Sequence, residues 1–475
     1  MKNIILLVLI AFMSISCEDN FLNDPVPTSS VSDVVVFGSR EGAEALLSGI
    51  HRRFRDQFRL SGAASARTDA GGVYSIYMAR SVKGNDLIQN SHYNFDYEND
   101  NREPTYARTN FAWEYPYYMI NQANSLINGV AASETISDAD KIELIAQGKA
   151  IRAFFYFQLA LEFQHTYTYD PSLPAPPIYT ELSLEGKPMS TMTQMYDFIV
   201  SDLTDAVAGL DNSRLGKSYI NKQVANGILA NVYLVMENWE GAEQAAHDAY
   251  GGNVASVLDA ANYNDGFNNI DNKEWMWGMP QTGDQSNYYY LAPHAFTDHN
   301  ADAYYGTYIN SEFVALFSPT DVRNLFESPY DVAIDSWEYY TTTKFSFAFD
   351  SDMPLMRYPE MILIEAEAIF RQNREGEAHD LLYALQVNRD PSAVKSSNTG
   401  NALFEEILRE RRKELYAEIG VEWFDAKRLR RGITRTGNHR LFASLVPDDK
   451  NFYLKIPQKE IDANENIDDS VNANR

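Results

Sequence analysis

The chain has 475 residues and a formal net charge of −26, from 66 acidic and 40 basic residues. This charge repels nucleic acid and anionic lipid headgroups, so the composition excludes a nucleic-acid-binding protein and a membrane contact through a basic patch. The length is sufficient for a sizeable core and for one large domain or two smaller ones. The 30 tyrosines suit core packing, protein interfaces and sugar binding alike, so composition does not choose among these roles.

The first residues indicate an export signal. Lys2 precedes an apolar run, residues 4–15, which has the length of a secretory signal and is shorter than the roughly 20 apolar residues that span a bilayer. Cys17 is the only cysteine, so it cannot form a disulfide within its own chain. Its spacing from the apolar run resembles a bacterial lipobox, with Ser14 where leucine is usual. We predict a signal peptide over residues 1–16 and lipidation of Cys17; the alternative is a chance cysteine in a conventional signal peptide.

The cysteine and the residues after it predict how the protein is attached to a membrane and on which side. An acylated cysteine would anchor an otherwise soluble protein, since each buried CH₂ group contributes about 0.8 kcal/mol. Glu18 and Asp19 resemble a signal that, in one group of Gram-negative bacteria, displays lipoproteins on the outer face of the outer membrane. Within residues 17–38, the stretch 20–33 is polar and contains two prolines. We therefore predict a lipidated tether at the outer membrane, facing the cell exterior.

Two long helices are predicted within an N-terminal helical portion, residues 39–250. The first covers residues 110–130. The second covers Asp138–Phe163, with Ser137 or Asp138 as its N-cap, and it is apolar around most of its circumference after Ala150. A helix of that kind is buried between neighbouring helices, so this portion is expected to form the interior of a helical scaffold.

Two predicted helical hairpins share one spacing of small residues. In the first, Ala230 and Ala242 are twelve residues apart, and Tyr233 lies between them as in the tetratricopeptide pattern. In the second, Ala366 and Ala378 repeat the spacing. Because long insertions separate the copies, we predict hairpins that stack in space without being adjacent in sequence. The alternative is generic helical hairpins that place alanines at these positions by chance.

Residues 251–356 differ in composition and pattern: they are rich in Tyr, Trp, Asn, Asp and Gly, and their apolar residues have no helical period. Short strands and long loops are predicted here, with Trp275 and Trp277 alternating like a core strand. Because loops on a rigid scaffold commonly carry the binding residues, this insertion is predicted to bind the ligand. Residues 357–475 are predicted to return to tetratricopeptide-like helices and a terminal segment.

The sequence carries no motif for catalysis or for a cofactor. It has no HxxxH or CxxC framework, no phosphate-binding loop and no nucleophile motif. A glycosidase needs only two carboxylates, so a surface hydrolase stays open as an alternative. The carboxylates of residues 96–100 lack the glycine and the ligand spacing of an EF-hand, which leaves a structural calcium ion as the alternative to a solvated turn. We predict no cofactor.

A charged amphipathic helix is predicted near the C-terminus, starting at about residue 404 and ending at Gly420 as the C′ residue. Its glutamates step by four residues and are interleaved with basic residues at salt-bridging offsets, so we predict a charged structural helix. The apolar stripe of this helix is Phe404, Leu408, Leu415 and Ile419, and its charged residues are Glu410, Arg411, Arg412, Lys413, Glu414 and Glu418.

Several motifs in the same order resemble the SusD/RagB family. The stretch "ERRKELYAEIGVEWFDAKR" is similar to its C-terminal signature, a glutamate and arginine run followed by E-x-G, two aromatics, Asp and a basic pair, with Ala426 where leucine is usual. The stretch "RYPEMILIEAEAIF" resembles the family's arginine–glutamate–apolar–AEA helix, and "YLKIPQKEIDANENI" resembles its terminal segment. The resemblance covers nearly the whole mature chain.

The resemblance implies one mostly α fold over residues 39–475, in which tetratricopeptide-like hairpins form a scaffold for an irregular, loop-rich subdomain with short β-strands. It implies a cell-surface lipoprotein that captures a glycan and covers a SusC-like TonB-dependent outer-membrane transporter, with the hairpins toward the transporter. Members are not enzymes. Most bind glycans and one branch serves peptides, so an oligopeptide ligand is the alternative.

The resemblance carries no ligand-binding residues over, because the family's ligand contacts lie in variable loops. Sugar sites use aromatic faces flanked by hydrogen-bonding groups, and two stretches of this chain have that composition. For each candidate the alternative is core packing, because most aromatic side chains are buried. The predicted ligand-binding residues are Asp69, Tyr74, Tyr77, Arg80, Tyr288, Tyr289, Tyr290, His294, Tyr304, Tyr305 and Trp337.

Overall fold

The computed structural model describes residues 32–63, 70–90, 102–282, 293–301 and 305–475. Helices dominate these ranges, and none of the helices in them is long and apolar enough to cross a membrane. The α-helices are α1 Asp33–Val36, α2 Arg40–Arg53, α3 Gly72–Ser81, α4 Ala107–Ala132, α5 Asp138–Phe163, α6 Met192–Gly209, α7 Lys222–Met236, α8 Trp239–Tyr250, α9 Val254–Val257, α10 Pro293–Thr297, α11 Ser311–Val314, α12 Tyr358–Arg371, α13 Glu375–Arg389, α14 Gly400–Leu415, α15 Val421–Arg428 and α16 Gln458–Ala463.

The strands are short and pair two by two in antiparallel fashion throughout the described ranges. The pairs are β1 with β5, β2 with β3, β4 with β8, β6 with β7, and β9 with β10. Their bounds are β1 Leu87–Gln89, β2 Pro174–Ala175, β3 Ser190–Thr191, β4 Trp275–Met279, β5 Thr307–Ile309, β6 Phe326–Glu327, β7 Thr341–Thr342, β8 Met353–Arg357, β9 Ile433–Thr434 and β10 Ser444–Leu445. The predicted fold class, helical hairpins with an irregular part of short strands, is confirmed.

The long helices begin where the sequence places capping residues. The Ser137 hydroxyl accepts from the Asp140 backbone N–H at the start of α5, as predicted. A capping box joins Thr191 and Gln194 at the start of α6. Helices α4, α5 and α6 then pack against one another in chain order. Almost every α5 residue after Ala150 is buried, which confirms the prediction of an interior helix.

The two hairpins, α7–α8 and α12–α13, stack directly on each other. Helix α12 packs against α8 of the first hairpin as well as against its own partner α13. The four small residues that set the spacing are fully buried: Ala230, Ala242, Ala366 and Ala378. Small side chains allow the helix axes to approach closely, so the repeated alanines permit the hairpins to stack as the sequence predicted.

The irregular part is joined to the rest of the chain by strands and by its own core. Strand β1 pairs with β5, so an early segment of the chain completes a ribbon in the irregular part. Trp275 and Trp277 on β4 are fully buried, as predicted. A second, smaller hydrophobic core forms around aromatic residues: Tyr263, Phe267, Trp275, Phe313, Phe317, Phe345 and Tyr416.

The C-terminal charged helix differs from its prediction. Helix α14 ends at Leu415, and Gly420 lies at the start of α15 with a φ of +73°, so it does not terminate α14 as a C′ residue. The three predicted glutamates, Glu410, Glu414 and Glu418, are buried in the interior instead of pairing along the helix surface. The basic residues Arg411, Arg412 and Lys413 pair with Asp425, Asp86 and Asp321, respectively.

Glu410 and Glu414 of α14 belong to a charge cluster between α13, α14, β8 and the irregular part, and Glu418 joins it from the turn after α14. Each of its side chains is at most 5% exposed. Glu414 lies at its centre, 2.9 Å from Arg357 Nη1, 3.0 Å from Arg389 Nε and 3.1 Å from Arg323 Nη1. The cluster consists of Glu274, Asp321, Arg323, Lys344, Arg357, Arg389, Glu410, Glu414 and Glu418. Through it, the irregular part is fixed on the helical scaffold.

Candidate functional site

A group of aromatic side chains forms a partly exposed surface in the irregular part, which we call the aromatic face. Tyr305 and Tyr330 are 36% and 37% exposed, and Trp337 is half-buried. His299 and Tyr308 lie behind them and support them. Tyr305 precedes β5 and has a φ of +50°, a left-handed conformation that turns the chain at the edge of the face.

The rings of the aromatic face contact one another mostly edge to face. The Tyr308 and Trp337 ring centroids are 5.0 Å apart with an interplanar angle of 81°. The His299 ring centroid lies 4.8 Å from that of Tyr308, 5.7 Å from that of Tyr305 and 5.8 Å from that of Tyr330. Such contacts hold the rings in defined orientations, so the face is arranged before a ligand arrives.

Hydrogen bonds fix the imidazole at the centre of the face. His299 Nε2 lies 2.8 Å from the Thr307 carbonyl oxygen, so Nε2 carries the proton and donates. His299 Nδ1 then accepts from the Tyr330 hydroxyl, also at 2.8 Å. Burial lowers the pKa of His299, which agrees with a neutral ring. The imidazole therefore orients the Tyr330 hydroxyl and the strand behind it.

Polar groups flank the aromatic face on two sides. The Asn300 side-chain amide donates to Glu327 Oε1 at 2.8 Å. The Arg440 guanidinium lies 5.7 Å from the centroid of the Trp337 ring. Flat rings beside carboxylate, amide and guanidinium groups can stack on the apolar face of a sugar ring and hydrogen-bond to its hydroxyls.

The predicted ligand-binding residues divide into three groups in the structure. Tyr305 and Trp337 lie together on the aromatic face and stay candidates. Three residues of the early stretch and His294 are buried in the core. The remaining predictions, Asp69, Tyr288, Tyr289, Tyr290 and Tyr304, lie outside the described residues.

Tyr74, Tyr77 and Arg80 lie on α3, whose residues are all buried. Arg80 donates from Nε to Glu162 at 2.7 Å and from Nη1 to Gln158 at 2.9 Å. The structure thus gives these three residues the core-packing role that the sequence left as the alternative. The physical reason is that the aromatic-rich stretch forms a helix between α5 and the C-terminal helices, where no side of it meets solvent.

His294 on α10 is fully buried as well. Its Nε2 donates to the Phe267 carbonyl oxygen at 2.5 Å, and its ring packs edge to face on Phe345. Burial lowers the pKa of His294 to about 4. The side chain is therefore a neutral component of the second core and does not reach the aromatic face.

The buried imidazole of His294 is expected to make stability depend on pH. Since the folded-state pKa is about 4 and the unfolded-state value is 6.5, protonation favours the unfolded chain. The contribution of His294 is complete above pH 6.5 and is lost below it, at about 1.4 kcal/mol per pH unit. Urea denaturation at pH 7.5, 6 and 5 is expected to show a shallower decline for His294→Gln than for the wild type. Equal declines would show that His294 is not held neutral.

Three residues of the aromatic face were not predicted from the sequence: His299, Tyr308 and Tyr330. Tyr330 lies in a loop outside the tyrosine-rich stretches, four residues after Phe326. The available signal was the tyrosine-rich stretch that leads into β5, where Tyr308 follows Tyr305 by three residues. The pairing with β1 that orients Tyr308 comes from a distant segment.

Metal binding has no support in the described part of the chain. Among those residues, no group of three or more His, Cys, Asp or Glu side chains is arranged to hold a metal ion. Residues 96–100, where the sequence left a calcium ion open, lie outside the described ranges, since residues up to 90 and from 102 onward are described there. The prediction of no cofactor stays a prediction.

The chain was compared with known protein families and solved structures. A family model described as "Starch-binding associating with outer membrane", SusD-like, matches residues 61–234, and a SusD family model matches residues 334–472. The chain belongs to the SusD/RagB family. The family is associated with the outer membrane, and the two matched regions contain most of the helical scaffold and the Trp337 side of the aromatic face. No curated protein matches the sequence.

Solved structures of SusD-like proteins share this fold. A SusD-like carbohydrate binding protein from Bacteroides vulgatus is 26% identical, with a TM-score of 0.80 over 91% of this chain and 98% of that one. A SusD superfamily protein from Bacteroides thetaiotaomicron is 23% identical, with a TM-score of 0.76 over 90% and 99% of the two chains. A SusD-like carbohydrate binding protein from Bacteroides fragilis is 18% identical, with a TM-score of 0.71 over 91% and 100%. The last two share the fold and support no inference about the ligand.

Proposed function

We propose that this SusD-like protein is a non-catalytic, cell-surface lipoprotein that binds a glycan on the aromatic face and delivers it to a SusC-like TonB-dependent transporter. The aromatic face is the observation that carries the proposal. Exposed, pre-oriented rings beside amide, carboxylate and guanidinium groups are suited to sugar rings, which have apolar faces and hydroxyl edges. The carbohydrate-binding description of the B. vulgatus relative agrees with this choice.

Different observations support the proposed location at the cell surface and the proposed transporter partner. Membership of an outer-membrane-associated family supports a site of action at the cell surface. The lipobox-like spacing around Cys17 supports attachment through an acyl chain, and residues 1–31 lie outside the described ranges. We expect Cys17→Ala to move the protein out of the membrane fraction. The transporter as partner follows from the family resemblance and is part of the proposal.

The proposal excludes cleavage of the bound glycan. Binding without catalysis is the role of the family, and it requires no pair of carboxylates on either side of a glycosidic bond. Native electrophoresis in gels that contain soluble starch, xylan or pectin identifies the glycan class by retarded migration of the full chain in detergent. Retardation by one polysaccharide supports the proposal. If the protein migrates without retardation in all of these gels and binds oligopeptides, the ligand is a peptide and the glycan proposal is wrong.

Trp337→Ala is expected to weaken binding to the retarding glycan about 10- to 100-fold, equivalent to about 1.4–2.8 kcal/mol. The loss follows because Trp337 is the largest ring of the aromatic face and Tyr308 packs against its edge. The affinity is measured from the dependence of gel mobility on glycan concentration.

Tyr169→Ala is the matched control for this variant. Tyr169 is a 39% exposed aromatic residue that packs on His165, away from the aromatic face. Removing it is expected to leave the mobility unchanged in the glycan gel. Equal affinities for Trp337→Ala and the wild type would place the glycan on a different surface.

A further inference from the structure

A loop from the C-terminal part of the chain reaches the aromatic face. It comprises residues 435–440, between β9 and β10, and we call it the 435–440 loop. Arg440 at its end places its guanidinium 5.7 Å from the Trp337 ring centroid. The face is thus bounded by a segment that lies far from the irregular insertion in sequence.

Asn438 in this loop uses both ends of its side-chain amide to join two parts of the aromatic face. Its Nδ2 donates to the Ser336 carbonyl oxygen at 2.8 Å, and its Oδ1 accepts from the Ser311 backbone N–H at 2.9 Å. Ser336 directly precedes Trp337. Ser311 begins α11, two residues after β5, the strand that carries Tyr308. The Asn438 amide therefore links the start of the Trp337 segment to the Tyr308 strand, and the backbone hydrogen bond from Ile309 N–H to the Tyr340 carbonyl oxygen links the two at the other end.

The 435–440 loop is itself anchored in the interior. Arg435 donates to the carbonyl oxygens of Gly84 and Val82 at 3.2 and 3.0 Å. The Thr436 backbone N–H donates to Asn85 Oδ1 at 2.8 Å, which ties the loop to the segment before β1.

Asn310 also holds the 435–440 loop in place by hydrogen bonds. This fully buried residue donates to the Thr436 carbonyl oxygen at 2.9 Å and to Asn85 Oδ1 at 3.0 Å. Gly437 has a φ of +64°, and a Cβ atom there would lie 2.5 Å from Asn310 Oδ1. Glycine is therefore required at position 437, because the backbone is left-handed there and passes close to the Asn310 side chain.

We propose that Asn438 is a positioning residue for glycan binding, which holds the Trp337 ring edge to face against Tyr308 through the 435–440 loop. The proposal rests on the proposed function, since it assigns Asn438 a role in the same site. Without the two hydrogen bonds, the segment keeps its ring contacts and the Ile309–Tyr340 backbone bridge, but it loses the hydrogen bond directly before Trp337. The Trp337 ring then samples further orientations. Only a fraction of the molecules has the ring in the binding orientation, so the affinity for the glycan falls.

The position of Trp337 is measured without a ligand by ¹⁹F NMR of the full chain in detergent, labelled with 5-fluorotryptophan. Trp337→Phe assigns the Trp337 signal among those of the six tryptophans. In Asn438→Ala the Trp337 signal is expected to shift and broaden while the other five stay in place. In Asn438→Asp, which keeps the acceptor for Ser311 and loses the donor to Ser336, the same signal is expected to change. An unchanged Trp337 signal in both variants would overturn the proposal.

Asn466→Ala is the matched control, because the Asn466 amide joins two loops away from the aromatic face by donating to the Gly186 carbonyl oxygen at 2.8 Å. Its Trp337 signal is expected to match the wild type. In gels containing whichever of soluble starch, xylan and pectin retards the wild type, Asn438→Ala is expected to bind about 5- to 10-fold more weakly than Asn466→Ala at a similar melting temperature. If none of the three polysaccharides retards the wild type while the ¹⁹F signal changes as expected, Asn438 still positions Trp337 and the glycan assignment fails. Equal affinities of the two variants for the retarding polysaccharide would contradict the positioning role.

Discussion

Replacing Glu414 with glutamine is expected to lower the free energy of unfolding by about 3–5 kcal/mol, the range for removing one partner of a buried ion pair. Glu414 is fully buried and contacts Arg323, Arg357 and Arg389. Burial acts to raise the pKa of Glu414, but the three guanidinium groups outweigh it and hold the pKa well below the ordinary value. A neutral amide leaves three buried cations short of one negative charge. Urea denaturation at pH 7 measures the loss.

Glu405 on the same helix gives the matched control. It pairs with Arg431, and both side chains are 40% exposed. Glu405→Gln is expected to change the free energy of unfolding by less than about 1 kcal/mol, because water solvates both charges. A loss for Glu414→Gln as small as that for Glu405→Gln would contradict the structural role of the charge cluster. Because the pKa of Glu414 is lowered in the folded state, its stabilising contribution is present above the unfolded pKa of 4.5 and is lost as the pH falls below it.

Gly420→Ala is expected to lower the free energy of unfolding by about 2–5 kcal/mol, from a left-handed backbone and an overpacked contact. Gly420 has a φ of +73° at the start of α15. A Cβ atom there would lie 2.2 Å from Arg80 Cβ and 3.0 Å from the Arg80 carbonyl carbon, so α15 and α3 would have to separate. Thermal and urea denaturation both report this loss.

Gly376→Ala is the control for the glycine variant. Gly376 lies in α13, and a Cβ atom there would meet nothing within 4 Å. This substitution is expected to raise the free energy of unfolding by about 0.4–1 kcal/mol, because alanine restricts the unfolded chain. Similar stabilities of the Gly420→Ala variant and the wild type would mean that α3 and α15 are not in the close contact described.

The helical part of the fold could be predicted because its signals are local. Ser137 caps α5, and the alanine spacing of the two hairpins follows from helix periodicity within one segment. The charged helix α14 is structural, as predicted, but its ion pairs differ from the prediction because the partners are distant in sequence. Glu414 pairs with Arg323, Arg357 and Arg389 in preference to its neighbours on the helix, and no local rule reveals that these segments meet.

The candidate site could be predicted only in part for the same reason. Trp337 and Tyr305 belong to aromatic-rich stretches and were found by composition. Tyr330 and His299 are brought to them by loop packing and by the β1–β5 pairing, which the sequence does not indicate. Tyr74 has the same composition around it and lies in the core, because aromatic residues serve packing and binding equally well.

The central claim is that the aromatic face binds a glycan that is not cleaved. Isothermal titration calorimetry of the full chain in detergent with defined oligosaccharides and mixed oligopeptides, followed by chromatography of the solutions, tests it most directly. The expected result is saturable heat with one oligosaccharide class, lost in Trp337→Ala, and no new products. Saturable heat with oligopeptides alone, or cleaved oligosaccharide after the titration, would contradict the claim.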